Sequence, residues 1–478
     1  MTRSSGALGF SSAAADKWAS ARNLGGATPV WRTDAAFGDT VRDLSQGTVL
    51  QRAIVTDGFG QTYPVVQPVT QTVAAANTTA LAQCDMAVLD LWYGQSNAGY
   101  GGVGNASLEI TKLFPHHAVS FTAGRSSSNP AATAPSSLVD FFAAQNSSSS
   151  VPMGCVTSVF ASRLLDMREG RNRLFVGRAD WQGAQPLETF EKGTQVYANA
   201  LISVQGARDS LRKYGIGLKV VVNFVQGENR ATALEQYPAK LAGIIANMRA
   251  DIRALTGAEP AFVFWQTNSG DTSTGSFSEP TAKYHRQVAE QFMGSSAVLA
   301  GPMYQLPISD DIHCNEIGRL MQGELLALVK QQIERTGTFR PLMPAAAARS
   351  GAVVTLDLAL PTGGKAVTLD SDWLGAIAAG TANAGFTFTD DSGAPPAIAS
   401  VAVSGPAQMK VTLAAVPTGG NQKLRYGLDA LDLTDDGFAS CRGLVYSSSG
   451  VSSPFHERGR AVPADIRHYL IRCEVPVA

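Results

Sequence analysis

Short apolar runs alternate with amphipathic segments from Met86 to about Thr336, and this alternation limits the possible folds more than any other feature of the chain. The runs are short and rich in β-branched residues, which is typical of strands buried on both faces. We predict strands at 87–92, 174–179, 218–225, 261–265 and 297–300. Such a pattern predicts a mostly parallel sheet that is covered by helices.

Two of the intervening segments have clear helical periodicity. In the first, apolar residues recur at intervals of three and four, which places them on one helix face; these are Leu241, Ile244, Ile245, Met248, Ile252 and Leu255. The second follows Asn315, a favourable N-cap residue, and its apolar stripe consists of Leu320, Met321, Leu325 and Leu328.

The regions on either side differ from this α/β pattern. Residues 1–85 contain short β-like pieces at 48–55 and 62–69, which indicates an arm or a small β-module. Residues 125–152 are rich in Ser, Ala, Asn and Pro and are predicted to form an insertion loop, interrupted briefly at 138–144. Residues 341–478 have β-branched runs at 353–360, 398–403 and 409–413, which predicts an all-β, sandwich-like domain. The α/β domain then spans 86–340.

The charge distribution and the length of the apolar runs argue against nucleic acid and a membrane as partners. The 38 Lys and Arg residues nearly balance the 39 Asp and Glu residues, and no long block of one sign is present, so we expect no nucleic acid partner. No apolar run reaches the length of about 18 residues that a transmembrane helix needs, so we expect no membrane span. Residues 1–20 lack the continuous apolar segment of a secretory signal, and we therefore expect synthesis in the cytoplasm.

The cysteines give no sign of a metal or disulfide framework. There are five, widely spread, and none forms a CxxC or Cys/His pair at metal-binding spacing. We therefore expect no metal and no cofactor, and at least one free thiol. Cys441 and Cys473 lie in the same β-rich region, and their spacing leaves open whether they pair.

A candidate nucleophile follows the first predicted strand. That strand runs directly into residues 94–97, Gly-Gln-Ser-Asn, so Ser96 would lie at the carboxyl end of the sheet, where open α/β sheets bind ligands. Taken alone, the segment favours an ordinary serine that caps a helix over a nucleophile.

The best candidate base is His313, which lies in a loop before the last α/β helix. Asp310 is three residues upstream, a spacing that lets one loop supply both the imidazole and the acid that orients it. Asp311 is the alternative acid. The other histidines are interpreted as surface, glycan-contact or structural residues and are His116, His117, His285, His456 and His468.

These motifs together resemble the SGNH hydrolase superfamily, in particular the branch of sialate O-acetylesterases and related carbohydrate acetylesterases. The matching elements occur in the expected order and are Gly94 to Asn97, Gly183 within 181–184, Gln226-Gly227-Glu228, and Asp310 to His313. The resemblance covers about residues 86–340 and implies a three-layer, flavodoxin-like α/β/α fold. The sequence departs from the pattern of this branch at two places, with Ala98 in place of the common Met and Phe224-Val225 in place of a Trp-His pair. Both differences bear on the substrate more than on the reaction.

The resemblance also implies roles for individual residues. The catalytic triad would be Ser96, Asp310 and His313. The oxyanion hole would consist of the Ser96 and Gly183 backbone N–H groups and the Gln226 side-chain amide. The residues expected to contact substrate are Gln95, Asn97, Trp181 and Glu228, with a structural role in fixing the Gln226 loop as the alternative for Glu228.

The leading functional hypothesis is a metal-independent serine esterase that removes O-acetyl groups from carbohydrate, such as a capsular or surface polysaccharide. The alternative from another class is a glycan-binding spike or fibre protein of a phage or phage-like particle, which uses the hydrolase scaffold for adhesion. A lipase or thioesterase is a third, less favoured interpretation. Homo-oligomerisation and attachment to such a particle through the terminal regions are left open.

Overall fold

The computed structural model describes residues 84, 86–99, 117–121, 153–212, 215–228, 233–267, 280–309, 313–374, 382–429 and 442–478, together with the backbone of eight short strands outside these ranges. Four of those strands precede the α/β region and are β1 (Trp31–Arg32), β2 (Thr40–Val41), β3 (Leu50–Thr56) and β4 (Thr62–Pro68). β1 pairs with β2 and β3 with β4, both antiparallel. β3 and β4 coincide with the two β-like pieces predicted in this region.

The α/β region is built on an eight-stranded sheet. Its strands are β5 (Met86–Gly94), β6 (Ala118–Phe121), β7 (Ser126–Ser127), β8 (Leu138–Asp140), β9 (Leu174–Trp181), β10 (Gly217–Val225), β11 (Ala261–Gln266) and β12 (Ala297–Pro302). Their order is β12-β11-β10-β5-β9-β6-β8, with β7 also beside β9. All pairs are parallel except β6 with β8.

All five predicted strands are present, so the predicted parallel sheet is confirmed. β6 was not predicted, because it is a run of only four residues. Within the predicted insertion loop, β7 and β8 are described, and the rest of 125–152 lies outside the described residues.

The described residues form six α-helices, of which α4 and α6 were predicted. They are α1 (Ser96–Gly99), α2 (Met153–Arg168), α3 (Gln195–Arg212), α4 (Tyr237–Thr256), α5 (Pro280–Gln291) and α6 (Glu316–Thr336). Asn315 caps α6 as predicted, since its side-chain oxygen accepts a hydrogen bond from the Gly318 N–H at 3.0 Å.

The helices lie in two layers, one on each face of the sheet. Alternate residues of β5 point to opposite faces: Leu89 and Tyr93 pack in the core with α3, α4 and α5, whereas Val88 and Trp92 pack with α2 and α6. Burial on both faces explains why β5 is apolar almost throughout, and it confirms the three-layer α/β/α arrangement.

The C-terminal region is all-β, as predicted. Its strands are β13 (Met343–Ser350), β14 (Val353–Ala359), β15 (Val367–Leu369), β16 (Phe386–Thr389), β17 (Ile398–Gly405), β18 (Gln408–Leu413), β19 (Lys423–Tyr426), β20 (Asp432–Leu433), β21 (Ala439–Ser440), β22 (Val445–Ser452), β23 (Asp465–Tyr469) and β24 (Cys473–Pro476). One sheet has four strands, β13-β14-β18-β17, and two have three, β15-β22-β23 and β16-β19-β24. Cys473 is a buried free thiol, so the pairing with Cys441 that the spacing left open is not formed.

The C-terminal strands are packed directly on the α/β region. Phe455 and Ile466 belong to the core on the α2 and α6 face, and Ile471 belongs to the core on the other face. At the end of β11, the Gln266 side chain exchanges two hydrogen bonds with the Arg472 backbone. The domain boundaries near residues 85 and 340 stay predictions.

No helix in the described ranges has both the length and the apolar character that crossing a bilayer requires.

Candidate active site

Three of the four motif segments meet at the carboxyl edge of the sheet because of the strand register. Gly94, the last residue of β5, pairs with Trp181 on β9 and with Val225 on β10. The segments that follow these strands therefore begin side by side. Two backbone hydrogen bonds join them, from Gln95 N–H to the Val225 carbonyl at 2.9 Å and from Gln182 N–H to the Gly94 carbonyl at 3.0 Å.

The turn after β5 requires glycine at position 94. Its φ of 131° lies in a region that residues with a side chain rarely adopt. A Cβ placed on Gly94 would also lie only 2.0 Å from the Val225 carbonyl oxygen. Glycine thus allows β5 to turn sharply into Ser96 while it stays in contact with β10.

Ser96 is half-buried and is the first residue of α1. Gly183 lies beside it, since a Cβ built on Gly183 would be 3.9 Å from the Ser96 Cβ. The Trp181 ring packs against α1, because a Cβ on Gly99 would lie 2.0 Å from three of its ring atoms. Ser96, Gly183 and the half-buried Trp181 therefore form one surface.

A buried carboxylate lies beneath this surface. Glu228 accepts hydrogen bonds from the side-chain amides of Gln95 and of Asn97, the latter at 2.8 Å. All three residues are at most 1% exposed. Burial raises the pKa of the Glu228 carboxyl, and the Asn97 hydrogen bond and the charges of His313 and Arg319 act in the opposite direction. The side-chain amides on either side of Ser96 are thus fixed by hydrogen bonds to one buried carboxyl group, that of Glu228.

Asn97 also joins the Ser96 turn to the His313 loop. Its side-chain oxygen accepts from the backbone N–H of Cys314 at 3.3 Å, so the residue after Ser96 is bonded to the residue after His313. His313 itself is half-buried, and its loop is closed by a hydrogen bond from Ser309 N–H to the His313 carbonyl at 2.8 Å. The fourth motif segment therefore reaches the same edge of the sheet.

Arg319 on α6 strengthens the same connection. Its guanidinium donates to the Asn97 carbonyl at 2.5 Å, to the Asn97 side-chain oxygen at 3.0 Å and to the Gln322 side-chain oxygen at 2.9 Å. It is 1% exposed. Charged donors in a buried environment form strong hydrogen bonds, so Arg319 restrains both the backbone and the side chain next to Ser96.

Gln226 is held by two further residues. The Tyr237 hydroxyl donates to the Gln226 side-chain oxygen at 2.7 Å, and His285 Nε2 lies 3.1 Å from both the Gln226 carbonyl oxygen and the Tyr237 hydroxyl. His285 is buried, which agrees with the interpretation of it as a structural residue and not with a surface position. Its neighbour in space, Gly227, has a φ of 143° and no room for a Cβ, which would be 2.8 Å from His285 Cε1.

The predicted site residues thus fall into three groups. The structure brings together Ser96, Gly183, Gln226 and His313 through the segments just described. Gln95, Asn97 and Glu228 lie beneath the turn and hold it, and their contact with substrate, like that of Trp181, stays a prediction. Asp310 and Asp311 lie outside the described residues, so the identity of the triad acid also stays a prediction.

Arg319 and Tyr237 were not predicted as residues of the site. A weak signal exists for Arg319, because it is a basic residue in the first turn of the helix that directly follows the His313 loop. We find no comparable signal for Tyr237, whose contacts depend on where α4 and α5 pack.

Two further features bear on ligand chemistry. Within the described ranges, no group of three His, Cys, Asp or Glu side chains is arranged to hold a metal ion. A cavity of about 200 Å³ lies at the amino-terminal edge of the sheet and is lined by Val88, Phe175, Lys219 and Ala261 among others. It is at the opposite edge from Ser96.

The fold and this edge define an α/β class of protein in which a serine follows the central strand. Among solved structures, a carbohydrate acetylesterase from Xanthomonas citri is similar, with a TM-score of 0.54 and 13% identity over 88% of this chain and 86% of that one. This likeness shows that the two proteins share a fold.

Two smaller structures also match. NanS does so with a TM-score of 0.38 and 12% identity, over 53% of this chain and 99% of its own. A protein from Arabidopsis thaliana matches with a TM-score of 0.35 and 18% identity, over 51% of this chain and 96% of its own. No protein-family model matches the chain, and no curated protein matches it in sequence.

Proposed function

We propose that this protein is a serine esterase of the SGNH type that removes O-acetyl groups from carbohydrate. The observation that carries the proposal is the convergence at one sheet edge of Ser96, Gly183 and the His313 loop, with Asn97 bonded to Cys314. A serine, a histidine on a restrained loop and several backbone and amide donors are the groups that acyl transfer needs.

In the proposed mechanism, Ser96 Oγ attacks the acetyl carbonyl carbon while His313 accepts the Ser96 proton. Asp310 orients the imidazole, with Asp311 as the alternative acid. The negative charge that develops on the carbonyl oxygen is stabilised by the N–H groups of Ser96 and Gly183 and by the Gln226 amide. The C–O bond to the sugar breaks, and His313 returns the proton to the departing sugar oxygen.

The second half-reaction regenerates the enzyme. Water attacks the acetyl group on Ser96 while His313 accepts a proton from that water. Acetic acid leaves, and His313 returns the proton to Ser96 Oγ. The two halves consume one ester and one water and yield one alcohol and one acetic acid, without a metal or a cofactor.

The carbohydrate substrate has two supports. The Trp181 ring is half-buried beside Ser96 and Gly183, where an aromatic face can stack on a sugar ring. The Xanthomonas citri protein of the same fold is described as a carbohydrate acetylesterase.

The test is acetate release from a small aryl acetate and from an acetylated polysaccharide. Ser96→Ala should lower kcat by at least about a thousandfold, because the nucleophile is lost and only binding and oxyanion contacts remain. Ser404→Ala is the control, since it removes an exposed hydroxyl on β17 that donates to Gln408. Full activity in Ser96→Ala would contradict the proposal. An inactive wild type that binds the polysaccharide would favour adhesion instead.

A further inference from the structure

The Gln226 side chain can serve as an oxyanion donor only if its NH₂ group, and not its oxygen, faces the reacting carbonyl. A carboxamide has nearly the same shape in either orientation, so its surroundings decide which end points where. Two buried residues surround Gln226: Tyr237 on α4 contacts its side-chain Oε1, and His285 on α5 contacts its backbone carbonyl oxygen and the Tyr237 hydroxyl.

The position of one proton on His285 follows from its neighbours. The carbonyl oxygen of Gln226 lies 3.1 Å from His285 Nε2, and a carbonyl oxygen can only accept. Nε2 therefore carries a hydrogen. Complete burial lowers the pKa of His285 to about 3, so the ring is neutral and Nδ1 has no hydrogen.

This assignment determines what Tyr237 does with its own proton. A protonated Nε2 cannot accept from the Tyr237 hydroxyl, which leaves the two oxygens of Gln226 as acceptors. The side-chain oxygen is 2.7 Å away, the usual O–H···O length, whereas the backbone oxygen is 3.3 Å away. Tyr237 thus donates to Oε1, and the NH₂ group is at the opposite end of the amide. Burial, with the charge of Glu228, keeps the pKa of Tyr237 well above its usual value, so the donor stays protonated.

We propose that Tyr237 and His285 are positioning residues that keep the NH₂ group of Gln226 directed to the oxyanion site. The inference rests on the proposed esterase function and deepens it. Without the Tyr237 hydroxyl, the amide can turn over and present its oxygen to the developing negative charge, which destabilises the transition state. Gly227 supports this arrangement, since only a residue without a side chain lets the loop approach His285 so closely.

A double-mutant cycle tests the inference with an aryl acetate as substrate. Gln226→Ala should lower kcat by about 100-fold to 1,000-fold, as expected for loss of one oxyanion donor. Tyr237→Phe should lower kcat by about tenfold to 100-fold with KM changed less than about threefold, because the effect appears in the transition state. In the Gln226→Ala background, Tyr237→Phe should have less than about a twofold further effect.

Tyr197→Phe is the matched control. It also deletes one hydroxyl and one hydrogen bond of 2.7 Å, in this case to Asp251 between α3 and α4. Its kcat should equal that of the wild type. A second pair of variants checks the role of the imidazole: His285→Gln, which keeps an N–H donor, should retain more activity than His285→Leu, which has none.

The outcomes separate this inference from the proposed function. The positioning role would be overturned, with the esterase proposal intact, by either of two results. One is that the effects of Tyr237→Phe and Gln226→Ala on kcat multiply, and the other is that Tyr237→Phe leaves kcat unchanged. Equal kcat in His285→Gln and His285→Leu would overturn the part assigned to His285. A wild type that hydrolyses no acetate ester would overturn the esterase proposal and this one with it.

Discussion

Replacement of Glu324 by glutamine should make the protein more stable at neutral pH. Glu324 lies on α6 at the contact with the C-terminal strands, is 2% exposed and accepts a hydrogen bond from the Ser453 hydroxyl at 2.5 Å. Burial raises the pKa of its carboxyl to about 8, while the Ser453 hydrogen bond and the charge of Arg168 partly oppose the rise and the charge of Asp465 adds to it.

The sign of the effect follows from proton binding. In the unfolded chain this carboxyl titrates near its ordinary pKa of 4.5, so between there and about pH 8 the folded state binds the proton and the unfolded state does not. Stability therefore falls as pH rises through this window, by about 1.4 kcal/mol per pH unit. At pH 7, about 2.5 units above the unfolded pKa, the loss reaches about 3 kcal/mol.

Glu324→Gln removes this loss, because glutamine keeps the oxygen that accepts from Ser453 but has no proton to release. Urea unfolding of both proteins at pH 5, 6, 7 and 8 measures the difference in free energy of unfolding. We expect a small difference at pH 5 that grows to about 3 kcal/mol in favour of the variant at pH 7.

The control for this series is Glu457→Gln, which removes an exposed carboxylate that pairs with Arg168. Its difference from the wild type should be small and nearly independent of pH. A stability difference between Glu324→Gln and the wild type that stays constant from pH 5 to 8 would refute the reasoning.

Two further predictions concern buried cations. Arg319→Lys should lower kcat at least tenfold while the fold is retained, because an ammonium group cannot bridge the carbonyl and side-chain oxygens of Asn97 as the guanidinium does. Steady-state kinetics with an aryl acetate measure this effect. A variant with the kcat of the wild type would contradict it. Lys330→Met should destabilise the protein by about 3 to 5 kcal/mol, because Asp90 keeps its buried charge without the ammonium now 2.6 Å away. In urea unfolding, the double variant with Lys330→Met and Asp90→Asn should recover part of the free energy of unfolding that Lys330→Met loses. Additive losses from the two substitutions would contradict the ion pair between Lys330 and Asp90.

The sheet could be predicted from the sequence because its strands are buried on both faces. β5 and β9 to β12 contain short, mainly apolar runs, and their length separates them from the longer helical segments. α2 could not be predicted in the same way. Residues 155–166 are buried on every side, including Thr157 and Ser158, so the helix lacks the polar face that makes periodicity visible.

The candidate site could be predicted from the strand ends and from the loop before α6, which contains His313. Ser96, Gly183 and Gln226 each follow a strand, and the parallel register then brings them together. Tyr237 and His285 reach Gln226 from α4 and α5 through tertiary packing, which no local pattern encodes. Arg319 likewise acts on a residue 222 positions away.

Labelling of the nucleophile tests the central claim most directly. An acyl-mimicking fluorophosphonate, added to the folded protein, should attach once per chain and should be found by peptide mass spectrometry on the peptide that contains Ser96. Acetate-releasing activity should fall in proportion to the labelled fraction, and the Ser96→Ala variant should take up no label. Continued ester hydrolysis after complete labelling, or a label on a different residue that abolishes activity, would contradict the assignment of Ser96 as the nucleophile.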